Sequence, residues 1–498
     1  MTTMKKILFS VLLLMGACME AAAQTEDKTV VIVSDWHLSD ARSFDANNYY
    51  AWTNKNRDRI VNFLNKLYAN PSSCDVLVLN GDIFELWRTP TNVCMVADEQ
   101  GKLLDDVQYL LRIKEQNADI FAALQKLHDA GKEIVYLPGN HDLTISKEDM
   151  EAAFPGLFTN AFDTPGTGLY EPFGPNSVVA IEHGSRYDYF NAPYPHGEMG
   201  TANVRSDALL PPGYFTSKLG ASATVYKAAQ QRKKTRGLIN ATETDEGNRT
   251  LVSSFWNAIH VGVGAPDFNV STCIDGVGDE NHPVYKWEEY AVTETNNPVL
   301  YADSWTIKNW KKRCEYNKVP VEIPLSTGLL TGIFHDYTTN LAFTQRLCNP
   351  KLPTLICVFA HTHSKLVETR HDALKGDVVY LNDGTWVDEM EYSTYGVIRY
   401  TAATRQYEIQ VRKYGRDDTD SMLDCRYLYV PENYLLCHSD GSIEFQAKAE
   451  LVESGANGIG GIKESENIKP VQKVLEEGQI YILRDGSRYN VAGQQMAK

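Results

Sequence analysis

No two cysteines of this 498-residue chain stand in a C-x-x-C spacing, which excludes a thiolate zinc site and a thioredoxin-like redox centre. Positive charge is also scarce. Against 64 Asp and Glu there are 48 Lys and Arg, a formal net charge of -16. Nucleic acids and anionic membranes both need a basic footprint, so neither is an expected partner; a small anionic substrate would need cations bound locally. Internal repeats and low-complexity tracts are missing, so a solenoid is excluded. The apolar run from Ile7 to Ala17 is too short to span a bilayer, for which about 20 residues are needed. Following Lys5 and Lys6 and preceding Ala21, Ala22 and Ala23, it reads as a cleavable export signal over residues 1–23. The competing reading makes Cys18 a lipidation site, for which Met15 is a poor match to the usual Leu. The expectation is an exported protein, periplasmic or at the cell surface. Its remaining eight cysteines permit disulfides there without fixing their connectivity.

What the sequence does have is an apolar fraction of 43%, ample for a core, and one pattern repeated five times. A short apolar strand ends in a tight turn bearing ligand-type residues: VVIVSDWH, VLVLNGD, IVYLPGNHD, VVAIEHG and ICVFAHTH. Continuous Val/Ile/Leu runs are those of strands buried on both faces, and open α/β sheets bind ligands beyond the carboxyl ends of such strands. Helical spacing in DRIVNFLNKLY (58–68) and in ADIFAALQKLHDAG (118–131), the latter closing on Gly131, predicts crossover helices between parallel strands.

Brought together, the five strand ends offer Asp35, His37, Asp82, Asn140, His183, His361 and His363. Seven such groups exceed one tetrahedral ion and suit two adjacent ions sharing a carboxylate. Mixed carboxylate, amide and imidazole donors favour zinc, manganese or iron, divalent or trivalent, over magnesium or calcium. Two such ions lower the pKa of a bridging water and neutralise charge in an in-line displacement, which points to hydrolysis of a small phosphorylated substrate.

In this order, DWH, NGDIFE, GNHD, HG and AHTH resemble the signature of the calcineurin-like metallophosphoesterases. The resemblance covers residues 29–183 and 355–414. It implies a four-layer αββα sandwich, with Asp35, His37, Asp82 and His363 on one metal and Asp82, Asn140, His183 and His361 on the other, Asp82 bridging. His141 is implied as the group that contacts the phosphoryl and protonates the leaving oxygen, and Glu85 as the carboxylate that orients it. Ala360 departs from the Gly that usually opens the last motif. NGDIFELWR with HGSRYD also resembles the UDP-2,3-diacylglucosamine hydrolases, a pyrophosphatase reading; those carry Arg where His141 stands and act on the cytoplasmic side. A non-catalytic, metal-stabilised surface module is the reading from another class, against which stand His141 and Glu85, needless for merely holding metal.

The rest of the chain is read around that core, which is expected to run over 24–430. Residues 190–353 lack the strand-to-ligand pattern and read as an insertion over the site that governs substrate choice. DVVYLNDGTWVD, YGVIRY and YEIQVRKY read as successive strands of a second sheet. A linker is expected over 431–466. A C-terminal hairpin over 467–498, turning at Asp485 and Gly486, resembles sorting or anchoring tails of exported Gram-negative proteins. Arg186 is the candidate substrate-binding residue, either gripping phosphate or pairing with Asp188. Asn382 is expected to fix its own turn, and Trp36 and Trp87 to wall the pocket or pack.

Overall fold

The computed structural model describes residues 26–44, 56–89, 96, 98–100, 102, 104–174, 177–195, 208–209, 211, 213–214, 217, 238–239, 301–302, 310–331, 335–388 and 391–453, and three short strands within 472–489. The expected export signal at 1–23 and most of the expected insertion at 190–353 lie outside the described residues.

Four strands run parallel in chain order: β1 (Lys28–Val33), β2 (Val76–Asn80), β3 (Glu133–Leu137) and β4 (Thr159–Asn160). Three helices provide the first two crossovers, α1 (Arg57–Ala69), α2 (Asp106–Gln116) and α3 (Ala118–Asp129), and a short helix, Lys147–Ala153, lies in the third. Apolar residues at three- and four-residue spacing aim one face of α1 (Ile60, Phe63, Leu64, Leu67) and of α3 (Ile120, Phe121, Leu124, Leu127) at the sheet. Each such side chain contributes about 1.5–3 kcal/mol on burial. The second helix starts at a capping box, Asp105 with Gln108, and the third gives way to Gly131 at φ +83°.

Later strands are β5 (Val179–Ile181), β6 (Ile356–Phe359), β7 (Leu366–Asp372), β8 (Gly376–Asn382), β9 (Tyr392–Thr401), β10 (Gln406–Gly415), β11 (Asp420–Tyr429) and β12 (Glu450–Leu451). They do not form one successive sheet as their sequence order suggested. A second, four-stranded sheet has the order β7-β8-β6-β5, while β9 to β12 extend the first sheet in the order β12-β11-β10-β9-β1-β2-β3-β4. The chain changes sheets between β8 and β9, and β9 pairs antiparallel with β1. Strand alternation says which face of a strand is wet; it does not say which neighbour supplies the hydrogen bonds. The sheets meet face to face at Gly396 of β9, where an added Cβ would come within 3.0 Å of Leu381 of β8. On the second sheet's other side Phe343, in a π-helical turn over Phe343–Leu347, packs on Tyr380 at 6.3 Å between rings. The result is the helix, sheet, sheet, helix order of a metallophosphoesterase sandwich.

Part of the expected linker has regular structure: Leu435–Cys437 pairs with Ile443–Phe445, and β12 adds to β11. In the C-terminal tail three strands form an antiparallel meander, Gln472–Glu476, Gln479–Arg484 and Ser487–Tyr489, the last two flanking Asp485 and Gly486. Cys74, Cys314, Cys348, Cys357, Cys425 and Cys437 are all unpaired thiols; Cys94 and Cys273 lie outside the described residues. Among the described residues no helix is long and apolar enough to cross a membrane.

Candidate metal centre

The ligand-type residues sit where the strands stop. After β1 and β2 the two chains continue side by side, Asp35 N–H donating to Gly81 O (3.1 Å), His37 N–H to Asp82 O (3.0 Å) and Leu38 N–H to Ile83 O (2.8 Å). In the second sheet Ala360 N–H donates to His183 O (3.0 Å), joining the ends of β5 and β6. Asp35, His37, Asp82, His361 and His363 all have left-handed backbone, φ between +46° and +58°. That conformation turns the chain sharply while letting the side chain project forward, and Asp and His tolerate it better than most residues. Close approach does the rest. A Cβ on Gly81 would lie 2.5 Å from His183 Nδ1, and one on Gly139 would lie 2.2 Å from Asp82 Oδ1, so only glycine lets these ligands close in.

Three imidazoles commit Nδ1 to an outer oxygen and turn Nε2 inward. His37 Nδ1 lies 2.9 Å from Glu85 Oε2, His183 Nδ1 2.8 Å from Asn80 O, and His363 Nδ1 2.6 Å from Asp388 Oδ2. Their Nε2 atoms face carboxylates: His37 at 3.8 Å from Asp35 and 4.0 Å from Asp82, His183 at 3.4 Å from Asp82, His363 at 2.9 Å from Asp35. Asn140 Oδ1 is 3.3 Å from His183 Nε2. Three sets of donor atoms lie within one cation's reach: Asp35, His37 and His363; Asp35, Asp82 and His183; His37, Asp82 and His141. His361 is in none of these sets; its ring is 5.4 Å from that of His183, and its Nε2 is 3.1 Å from Asp188 Oδ2.

Two carboxylates and several imidazoles, almost wholly buried, make an electrostatic problem that a cation solves. Burial raises the pKa of Asp35 and Asp82, but His363 outweighs it at Asp35 and His183 with His141 at Asp82, so both carboxyls stay below their usual range. Burial lowers His183, yet Asp82 and Asp35 push it up to about 9. Asp35 Oδ2 has no hydrogen-bond partner although its residue is fully buried, a costly state for an ionised oxygen unless a cation satisfies it. Hard carboxylate and borderline imidazole donors with fixed outer nitrogens fit a divalent metal. The cluster opens to solvent on the side of His363, whose side chain is 21% exposed, and His141, 11%.

Residues 28–198 match the family described as calcineurin-like phosphoesterase. This stretch is similar to the calcineurin-like phosphoesterases. His361 and His363 stand outside the matched residues and are brought to the site by the fold. No curated protein matches the chain. Calcineurin-like phosphoesterases typically bind two metal ions, in keeping with the Asp and His groups assembled here.

Around this candidate metal centre Glu85 occupies a double position, with His141 Nδ1 2.9 Å from Oε1 and His37 on Oε2, while the Trp87 and Arg88 N–H groups donate to Oε1. Burial raises the Glu85 carboxyl, but His141 and His37 together hold it well below the usual range. Trp87 stacks on His141 at 4.6 Å. Trp36 and Trp386 pack edge to face at 6.2 Å. Asn382 fixes its turn by accepting from Gly384 N–H and also donates to Ala360 O, steadying the AHTH loop. Ala360 itself is not left-handed, so its methyl causes no backbone strain there.

The guanidinium of Arg186 is engaged by partners other than Asp188. It is buried, with Nε 2.6 Å from Glu182, Nη1 2.7 Å from Asp163 and donating to Asn317 O, and Nη2 donating to Gly168 O. A guanidinium so engaged braces the chain behind His183. Sequence reasoning passed over four carboxylates. Asp142 accepts from Gly139, Ile83 and Phe84 N–H and is raised to about 7 by burial and Asp82; Asp383 accepts from Ser34. Asp188 and Asp388 back His361 and His363. The available signal was position, since each stands within a few residues of a motif histidine, asparagine or turn.

Proposed function

We propose that this protein is an exported, metal-dependent phosphoesterase that hydrolyses a small external phosphate ester, with His141 as general acid. Asp35, His37, Asp82 and His363 would hold one cation and Asp82, Asn140, His183 and His361 the other. When bound, such a pair supplies Lewis-acid activation of water and charge neutralisation at the phosphoryl oxygens. The observation that carries the reading is the Glu85–His141 pair at the open edge of the buried cluster, 2.9 Å between carboxylate and Nδ1. A carboxylate on Nδ1 fixes the ring, so the opposite edge of the ring can deliver a proton to a departing oxygen. Trp87, stacked on His141, keeps the ring from swinging out. His141 belongs to neither of these two ligand sets, so its pairing with Glu85 weighs against a purely structural centre. Export is supported by the Lys5, Lys6 and Ile7–Ala17 pattern.

The test is a screen of chromogenic phosphomonoesters, diesters and pyrophosphates with manganese or zinc, together with His141→Ala. Removing a general acid is expected to lower turnover 10²–10⁴-fold, roughly, with metal content unchanged. A metal-loaded wild type inert on every ester class, or a fully active H141A, would overturn the proposal.

A further inference from the structure

The candidate ligand histidines each have an oxygen partner on one ring nitrogen, Nδ1 in His37, His183 and His363 and Nε2 in His361, and the partners come from two sources. Those of His37, His183 and His363 are Glu85, Asn80 O at the end of β2, and Asp388, all in the core. The partner of His361 comes from the loop that leads into the insertion. Gly184, at φ +100°, turns the chain into the short turn Ser185–Tyr187, and Asp188 follows, fully buried. Its Oδ1 accepts from Phe190 N–H (2.8 Å), which fixes the carboxylate plane. Its Oδ2 lies 3.1 Å from His361 Nε2 and also accepts from Asn191 Nδ2. Asn191 Oδ1 in turn accepts from Asn140 Nδ2 at 3.3 Å. That bond occupies the amide nitrogen of Asn140 and leaves Oδ1, the atom a metal would take, facing His183.

The insertion fastens this relay. Arg313, buried on the helix Trp310–Tyr316, donates to the carbonyls of Asp188 and Tyr189, and Asn317 Nδ2 donates to Pro193 O (2.9 Å). Helix and loop therefore hold Asp188 and Asn191 in place, and these two hold His361 and Asn140, two of the three ligands that only one of the cations would use.

We propose that Asp188 and Asn191 are positioning residues for a single cation, the one taken by Asn140, His183 and His361, and that the insertion controls how tightly that cation is loaded. The inference rests on the two-cation reading above. Outer partners fix a ligand's tautomer and aim, and losing one typically weakens metal affinity about 10–100-fold.

Manganese is titrated into chelator-stripped wild type and the D188N, N191A and D388N variants of the full chain, with free metal read by a competing chelating dye and the melting temperature of each metal-free protein recorded. Wild type is expected to bind two equivalents. D188N and N191A should keep one equivalent at wild-type affinity and weaken the other about 10–100-fold, while D388N weakens the opposite equivalent through His363. A turn-capping role alone would lower the melting temperature and leave both affinities untouched, and that result overturns the inference, as does equal weakening of both equivalents. Should D188N fail to fold, N191A, which removes no charged group, decides by the same criterion. Wild type binding fewer than two equivalents sinks the two-cation reading and this inference together; two equivalents with unaffected variants sinks the inference alone.

Discussion

Arg186 is where a phosphate-binding role and a structural role make opposite forecasts, and methionine is the substitution that separates them. R186M keeps an unbranched side chain of similar length while deleting the charge and the hydrogen bonds to Asp163, Asn317 O and Gly168 O and the ion pair with Glu182. Removing one partner of a buried pair destabilises by about 3–5 kcal/mol. The lower end applies, because Glu182 keeps Arg346 Nε at 2.9 Å and Tyr187 Oη at 2.8 Å, and Asp163 keeps Thr167. At about 2–4 °C per kcal/mol for a large domain, the melting temperature should fall by roughly 6–12 °C. The assay is thermal unfolding of metal-free and metal-loaded protein followed by circular dichroism, paired with kcat and KM on the best chromogenic ester at a temperature where both proteins are folded. R186K should fall between, since an ammonium restores charge without the planar fork. The structural account predicts a lower melting temperature with KM close to wild type. An unchanged melting temperature with KM raised tenfold or more would show that the guanidinium meets substrate, and the argument from burial would be refuted.

Lys375 supplies a pH test away from the metal centre. It is buried between Arg346 O (3.3 Å) and Thr354 O (3.2 Å), and burial pushes its ammonium down to about 8. Between that value and the ordinary ~10.4 the unfolded chain binds more protons, so stability should rise with pH from about 8 to 10.5, by about 3 kcal/mol relative to K375M. Parallel melting curves of the two proteins across that window would contradict it. At the centre, burial lowers His183 and His363, but Asp82 holds the first up to about 9, and Asp35 with Asp388 holds the second well above its usual value. Both must lose a proton to bind a cation, so loading metal-free protein at pH 7.5 should release about two protons, read from the dependence of binding heat on buffer ionisation enthalpy. A slope near zero refutes the assignment of both rings as ligands.

The parallel core could be read directly because β1, β2 and β3 are buried on both faces, so their sequences are unbroken apolar runs ending at the functional turn. The candidate ligands stood out for a related reason: a buried His or Asp at the end of such a run has few structural uses. The outer partners were harder. Asp188 and Asp388 stand five and twenty-five residues from the histidines His183 and His363, but what singles them out is the direction of a side chain, which spacing does not encode. Arg186 misled for the same reason, since its composition cue, Arg beside a ligand, is equally satisfied by a buried pair with Glu182. The split of β8 and β9 between two sheets depends on which strand edge remains open after β1 to β4 pair, a property of the whole assembly.

Backbone conformation joins these strands of reasoning. The described non-glycine residues with positive φ are Asp35, His37, Asp82, His361 and His363, with Lys318, Arg405 and Asp418 elsewhere. A left-handed conformation costs an L-residue about 1–2 kcal/mol, and glycine would relieve it at every one of the five site positions. Glycine is indeed used beside them, at Gly81 and Gly139, where close approach and not ligation is required. The side chains at the strained positions therefore repay their backbone cost in some other way, and a structural account offers little: Asp35 is fully buried with one oxygen unsatisfied, and its contact with His363 joins two groups that each carry a desolvation penalty. Strain concentrated at residues that burial also penalises is the pattern expected of a site organised for what it binds, because a bound cation would relieve the unsatisfied oxygen and the like charges of Asp35 and Asp82 at once.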